Sequence, residues 1–195
     1  MNDVLNIRHL TYKMVVLGHY SVGKSSIVLN FVKGEFNQNE ESTIGASFLT
    51  KTIFVDRSAV KYEIWDTAGQ ERYYSLIPMY YRGAQVALIV YDITSEESFE
   101  SAKKWIEELK HEKPQEFMKV LVANKSDLTS QARISTEEGK SLAEREKILF
   151  YETSAKTGEN INKMFTEIAK MLPKEIKQQN GNVKLKKPRK NMFCC

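Results

Sequence analysis

Apolar and polar positions along the chain follow two rhythms. "KMVVLG" (13–18), "QVALIVYD" (85–92) and "FMKVLVANKSD" (117–127) contain near-continuous apolar runs, with a shorter one at "ILFYETSA" (148–155). Such runs predict strands buried on both faces. "ASFLTKTIFV" (46–55) and "AVKYEIWD" (59–66) alternate instead, which predicts an antiparallel pair turned around Asp56–Ser58. Helical spacing lies between them. A helix is expected from about Lys24 to Val32, and Phe99, Ala102, Ile106 and Leu109 share one face of another. Ile161, Met164, Phe165, Ile168, Met171 and Leu172 repeat that spacing and read as core, with Pro173 as the stop. The pattern predicts an α/β fold: a mostly parallel six-stranded sheet with one antiparallel edge strand and helices on both faces. Residues 1–173 form one domain in this reading, and 174–195 a flexible tail poor in large apolar groups.

Composition changes this picture little. The 195 residues are 42% apolar and 28% charged, as in an ordinary soluble domain. No apolar run approaches the roughly 18 residues of a membrane span, and "MNDVLNIRHLTYK" lacks a signal-peptide core. A cytoplasmic chain is expected. Charge is more telling. The tail holds seven basic residues against one acidic, a net of +6, which leaves −2 for residues 1–173 out of a total of +4. An acidic body argues against nucleic acid as a partner, and a basic tail calls for an anionic one. The two cysteines, Cys194 and Cys195, are adjacent. Their Cα atoms lie about 3.8 Å apart, below the roughly 4.4–6.8 Å of a disulfide.

Candidate chemistry begins at "GHYSVGKSS" (18–26), a glycine loop between a predicted strand and a predicted helix. Gly18, Ser21, Val22, Gly23 and Ser26 are the candidate backbone cradle for α- and β-phosphates. Lys24 would reach the β- and γ-phosphates and Ser25 would ligate Mg²⁺. The base is chosen elsewhere. In "NKSD", Asn124, Lys125 and Asp127 stand at a strand end. One carboxylate accepts both adjacent donors of guanine, N1–H and the 2-amino group, and adenine would leave a buried Asp127 unpaired. "TSAKTG" (153–158) brings Ser154, Ala155 and Lys156, with an Ala155 backbone donor expected at guanine O6. Between these, "WDTAGQER" (65–72) supplies Asp66 for a metal reached through water. It also supplies Gly69 for close approach to a γ-phosphate and Gln70 as the catalytic residue orienting a water.

These motifs, in this order, resemble the Ras superfamily and within it the Rab family of vesicle-traffic GTPases. "IWDTAGQERY", "YYRGA" and the paired cysteines are Rab-like, and "ESTIGASFLT" (41–50) is most similar to the early-endosomal subgroup. The resemblance implies a phosphate-loop nucleoside-triphosphatase (P-loop NTPase) fold that hydrolyses GTP to GDP slowly without an activating protein. It implies that Thr43 ligates Mg²⁺ and senses the γ-phosphate, and that Phe36 packs on the guanine. It also implies that Ile44, Phe48, Trp65 and Tyr80 belong to an apolar effector patch. Without it the three aromatics read as core. The partners it implies are an exchange factor, an activating protein, effectors, a prenyl-transfer escort and a GDP-dissociation inhibitor, all acting on a monomer. Cys194 and Cys195 would carry lipids that bring the chain to the cytoplasmic face of endosomal membranes, since two chains anchor where one binds only marginally.

His19 and Tyr20 depart from the pattern, because Rab loops carry a small or short polar residue at the place of Tyr20. Three readings follow: a switch that hydrolyses GTP, a GTP-binding membrane adaptor that Tyr20 leaves with little turnover, and a small-molecule kinase. The last gives no reason for "NKSD", "TSAK" or the paired cysteines.

Overall fold

In the computed structural model, residues 7–39, 41–112 and 117–173 are described. Strand β1 (Arg8–Gly18) lies between β3 (Ser58–Thr67) and β4 (Val86–Asp92), both parallel to it. β5 (Met118–Asn124) and β6 (Leu149–Thr153) extend the sheet in parallel beyond β4. β2 (Ala46–Val55) pairs antiparallel with β3 at the opposite edge, joined by a two-residue turn with Asp56 at φ 54°. The order is β2-β3-β1-β4-β5-β6, the six-stranded arrangement expected from the sequence.

α1 (Lys24–Lys33) and α5 (Ile161–Met171) cover one face of the sheet, through Ile27, Val28, Phe31, Met164, Phe165 and Ile168. Phe31 and Phe165 stack with centroids 3.6 Å apart, and Tyr62 donates to the Phe165 carbonyl at 2.8 Å. α2 (Ile77–Tyr81), α3 (Glu96–Glu112) and α4 (Thr136–Glu146) cover the other face. Short 3-10 turns at Glu71–Leu76 and Ser126–Gln131 follow β3 and β5. β1 thus sends α1 to one face while its neighbours β3 and β4 send α2 and α3 to the other, which opens a crevice at the carboxyl end of β1, where Gly18 stands.

Several expectations change. β1 starts five residues earlier than Lys13, because Arg8–Tyr12 pair with Ser58–Tyr62. Met171 is 51% exposed, although its spacing marks it as core; α5 ends there and Leu172 turns inward in its place. Apolar spacing in the sequence does not predict α4. Its start is nonetheless written there, since Ser135 accepts from the Glu138 N–H while Glu138 accepts from the Ser135 N–H. Residues 174–195, with Cys194 and Cys195, lie outside the described residues.

Candidate functional site

Six segments meet at the carboxyl ends of β1, β3, β5 and β6 around a cavity of about 430 Å³, within the range of small-ligand sites. Its floor is the glycine loop. Gly23, at φ 90°, caps α1 without a side-chain acceptor, and no acidic residue occupies the first turn. The helix therefore directs its free N–H groups and positive end at the cavity. Gly18 is forced: a Cβ there would stand 2.2 Å from the Val90 carbonyl oxygen, at φ 144°.

Lys24 is 6% exposed and donates to the Gly18 and His19 carbonyls at 3.0 and 2.7 Å. Burial lowers its pKa to about 8, and the Asp66 charge opposes that shift. Beside it the Ser25 hydroxyl meets the Thr43 hydroxyl at 2.8 Å and donates to Asp66 Oδ2 at 2.6 Å. Thr43 and Ser47 approach the same oxygen, each at 3.4 Å. Burial raises the Asp66 pKa, against the Ser25 hydrogen bond, the Lys24 charge and the Ser47 and Thr43 bonds. Its other oxygen, Oδ1, is buried with no partner. Converging hydroxyl and carboxylate oxygens with one buried oxygen to spare fit a small hard cation such as Mg²⁺.

Gly69 closes this end. A Cβ on it would lie 2.5 Å from both the Lys24 ammonium and the Tyr20 N–H, and 2.6 Å from the His19 carbonyl. Gln70 follows on the cavity wall in extended conformation.

The far end is built by ties between loops. Asn124 is 1% exposed, donates to the Val22 carbonyl at 2.8 Å, and accepts from the Thr153 hydroxyl and the Ala155 N–H at 3.2 Å. Lys125 takes a left-handed conformation and pairs with Asp92 at 2.6 Å. Asp127 accepts from Ser154 at 2.6 Å. It is exposed at the cavity mouth, where the sequence reading assumed a buried carboxylate.

Sixteen residues were read as nucleotide-binding, and all but Gly18, Val22 and Ser154 line the cavity. Those three sit behind it. Gly18 offers its carbonyl to Lys24, Val22 packs in the core, and Ser154 holds Asp127. Sequence reasoning missed Thr67, Leu128 and the pairs Asn37–Gln38 and Glu41–Ser42 on the wall. Outside the cavity, Phe48, Trp65 and Tyr80 form a chain of rings with centroids 5.1 and 5.5 Å apart. Phe48 is 50% and Ile44 82% exposed, and Trp65 and Tyr80 are half-buried. Trp65 and Tyr80 still pack against the core of the α2–α4 face, so only Phe48 departs from the reading of the aromatics as core.

A doubly wound sheet with a glycine loop at its switch point places the molecule among the phosphate-loop nucleotide-binding proteins. Residues 13–174 match the Ras family. The Ras-related protein Rab-5A of Dictyostelium discoideum is 53% identical over 177 residues, which cover 91% of this chain and 88% of that protein. The chain belongs to the Ras family, in its Rab branch, and is a small GTPase.

Proposed function

We propose that the chain is a GTP/GDP switch of endosomal membrane traffic whose GTP form recruits effectors. The observation that carries this reading is the meeting of Ser25, Thr43 and Asp66 beside Lys24. Thr43 comes from a surface segment, so its tie to the Ser25–Asp66 pair makes that segment sensitive to what the site holds. Residues 1–173 are the nucleotide domain. Backbone N–H groups of Ser21–Ser26 and the Lys24 ammonium bind the phosphates. Ser25, Thr43 and Asp66 hold Mg²⁺, which when bound neutralises charge between the β- and γ-phosphates. Gly69 lets its N–H approach the terminal phosphate, and Gln70 orients a water for in-line attack. Phe36 covers the base and Asp127 selects it.

When the γ-phosphate leaves, Thr43 and Gly69 lose their common grip and the two segments relax. Effectors read the ring chain of Phe48, Trp65 and Tyr80, with Ile44, in the gripped form. Exchange factors, activating proteins, an escort and a dissociation inhibitor act on the same cycle. Residues 174–195 bring the domain to an anionic leaflet through their basic side chains and lipids on Cys194 and Cys195. Titration calorimetry with Mg²⁺ and either GTP or ATP tests the reading. Selective heat for GTP is expected, and comparable heats for both would overturn it.

Tyr20 favours a second reading. It is 54% exposed on the same wall as Gln70, its ring 4.5 Å from that of His19, which sits 3.6 Å from Glu97. A tyrosine there crowds the space an activating residue needs, so GTP is held but turned over slowly. Single-turnover hydrolysis by Tyr20→Ser should exceed that of the parent; equal rates, with and without an activating protein, would end this reading.

A further inference from the structure

Residues 48–54 of the edge strand β2 read Phe-Leu-Thr-Lys-Thr-Ile-Phe. The string is a palindrome except for Leu49 against Ile53, two side chains of nearly equal size. Within one chain this symmetry has no use. β2 pairs with β3 alone, and among the described residues no backbone hydrogen bond carries its other edge to another segment. Between two chains it does have a use. A two-fold contact requires a surface to be its own complement, and an antiparallel pair lets a palindrome meet itself residue for residue.

We propose that two copies of this chain pair antiparallel through β2, centred on Lys51, joining their sheets into one. In that register Phe48 faces Phe54 of the second copy, Leu49 faces Ile53 and Thr50 faces Thr52. The two sides of the strand agree as well. Phe48, Thr50, Thr52 and Phe54 are exposed on the open face, Phe48 to 50% and Phe54 to 75%. Leu49 and Ile53 pack partly against the α1–α5 core on the inner face. A one-residue slip would set open face against inner face, and a two-residue slip would lose both Phe–Phe pairs. Lys51 falls opposite itself, where like charges oppose pairing. Its ammonium is turned inward, however, bonded to the Phe31 carbonyl and 4.5 Å above the Phe31 ring.

The contact is small. Seven strand residues span about 20 Å and a sheet is about 10 Å deep, far below the about 800 Å² per partner of a standard interface. The dimer is therefore weak, with Kd between about 10 μM and 1 mM, and forms where chains are crowded. The expected monomer then describes the dilute chain.

Sedimentation equilibrium of the full chain up to about 1 mM tests this. Phe54→Lys and Phe48→Glu each remove both Phe–Phe pairs, and each should weaken association about tenfold. The variant with both substitutions sets opposite charges face to face at both ends of the strand, and should regain association to within about threefold of the parent. A parent chain monomeric throughout would overturn the proposal. So would single variants that associate as the parent does, or a double variant as weak as the singles.

Discussion

The two ends of the cavity are built on opposite plans. At the phosphate end the working groups are buried, with Lys24 6% and Asp66 2% exposed. Each is held at a cost: Lys24 with its pKa pressed down to about 8, and Asp66 with one oxygen unpaired. At the far end Asp127 and Lys156 stand exposed, and the side chain of Asn124, which is buried, bonds to Val22, Thr153 and Ala155. A site of this kind separates strength from choice. Prebuilt electrostatics near α1 attract any polyphosphate, because buried charges act through a poorly screening medium. In the proposed reading, choice of base is left to one carboxylate, Asp127, which accepts from Ser154 and which the base itself would desolvate.

The largest expected effect is on choice. Asp127→Asn replaces an acceptor with an amide that can donate, while its remaining oxygen can still receive the Ser154 hydroxyl. Guanine then faces an unpaired donor, whereas the 2-carbonyl of xanthine finds a partner. Relative preference for guanine over xanthine nucleotides should fall by about 10⁴-fold, the scale of rejection by unpaired buried polar groups. Competition binding reads this directly. A variant that still prefers GTP would break the division proposed for the two ends, because selection would then lie elsewhere on the wall.

How far this was legible depends on how local the signal is. Every strand could be read from hydrophobic rhythm, because the sheet is buried on both faces over most of its width and its residues have no other reason to be apolar. The phosphate end could be read from "GHYSVGKSS" and Asp66, since the chemistry needs fixed residue types at fixed spacing. Tertiary arrangement hid the remainder. The motif gives Asn124 to the nucleotide, and only the fold reveals three side-chain bonds to residues 29 to 102 positions away. Trp65 lies opposite Phe48 in register, yet no rhythm tells that Tyr80 of α2 covers this face of β3 only in part. α4 escaped because few of its residues, Gly139, Leu142 and Ala143 among them, are buried. A capping pair carries the signal that apolar spacing could not.

Asn124→Ala tests whether the two ends are independent. Among the described residues no other side chain is hydrogen-bonded to both the glycine loop and the Thr153–Ala155 segment. Removing it frees the Val22 carbonyl and the Ala155 N–H, both in buried surroundings. Two or three lost bonds at about 1 kcal/mol each predict a loss of about 2–3 kcal/mol in stability. Chemical denaturation should show that loss, and affinity for GDP and GTP should fall together. Full stability with weakened guanine binding alone would mean that Asn124 serves the base rather than the scaffold.

Ser25→Asn probes the phosphate end by itself and should have the smallest effect. The Ser25 hydroxyl lies 2.6 Å from Asp66 and 2.8 Å from Thr43, so it joins the floor of the site to the segment that carries Thr43. A bulkier amide removes the hydroxyl from the metal set and displaces Thr43, which the proposed GTP form needs and the GDP form does not. Lys24 and the N-terminal N–H groups of α1 remain to hold the diphosphate. Mg²⁺-dependent GTP affinity should drop about tenfold more than GDP affinity, equivalent to roughly one charge-assisted hydrogen bond. Fluorescent-nucleotide displacement with and without Mg²⁺ measures both. Equal losses for GDP and GTP would assign Ser25 to holding phosphates generally, and would separate Thr43 from any sensing of the third one.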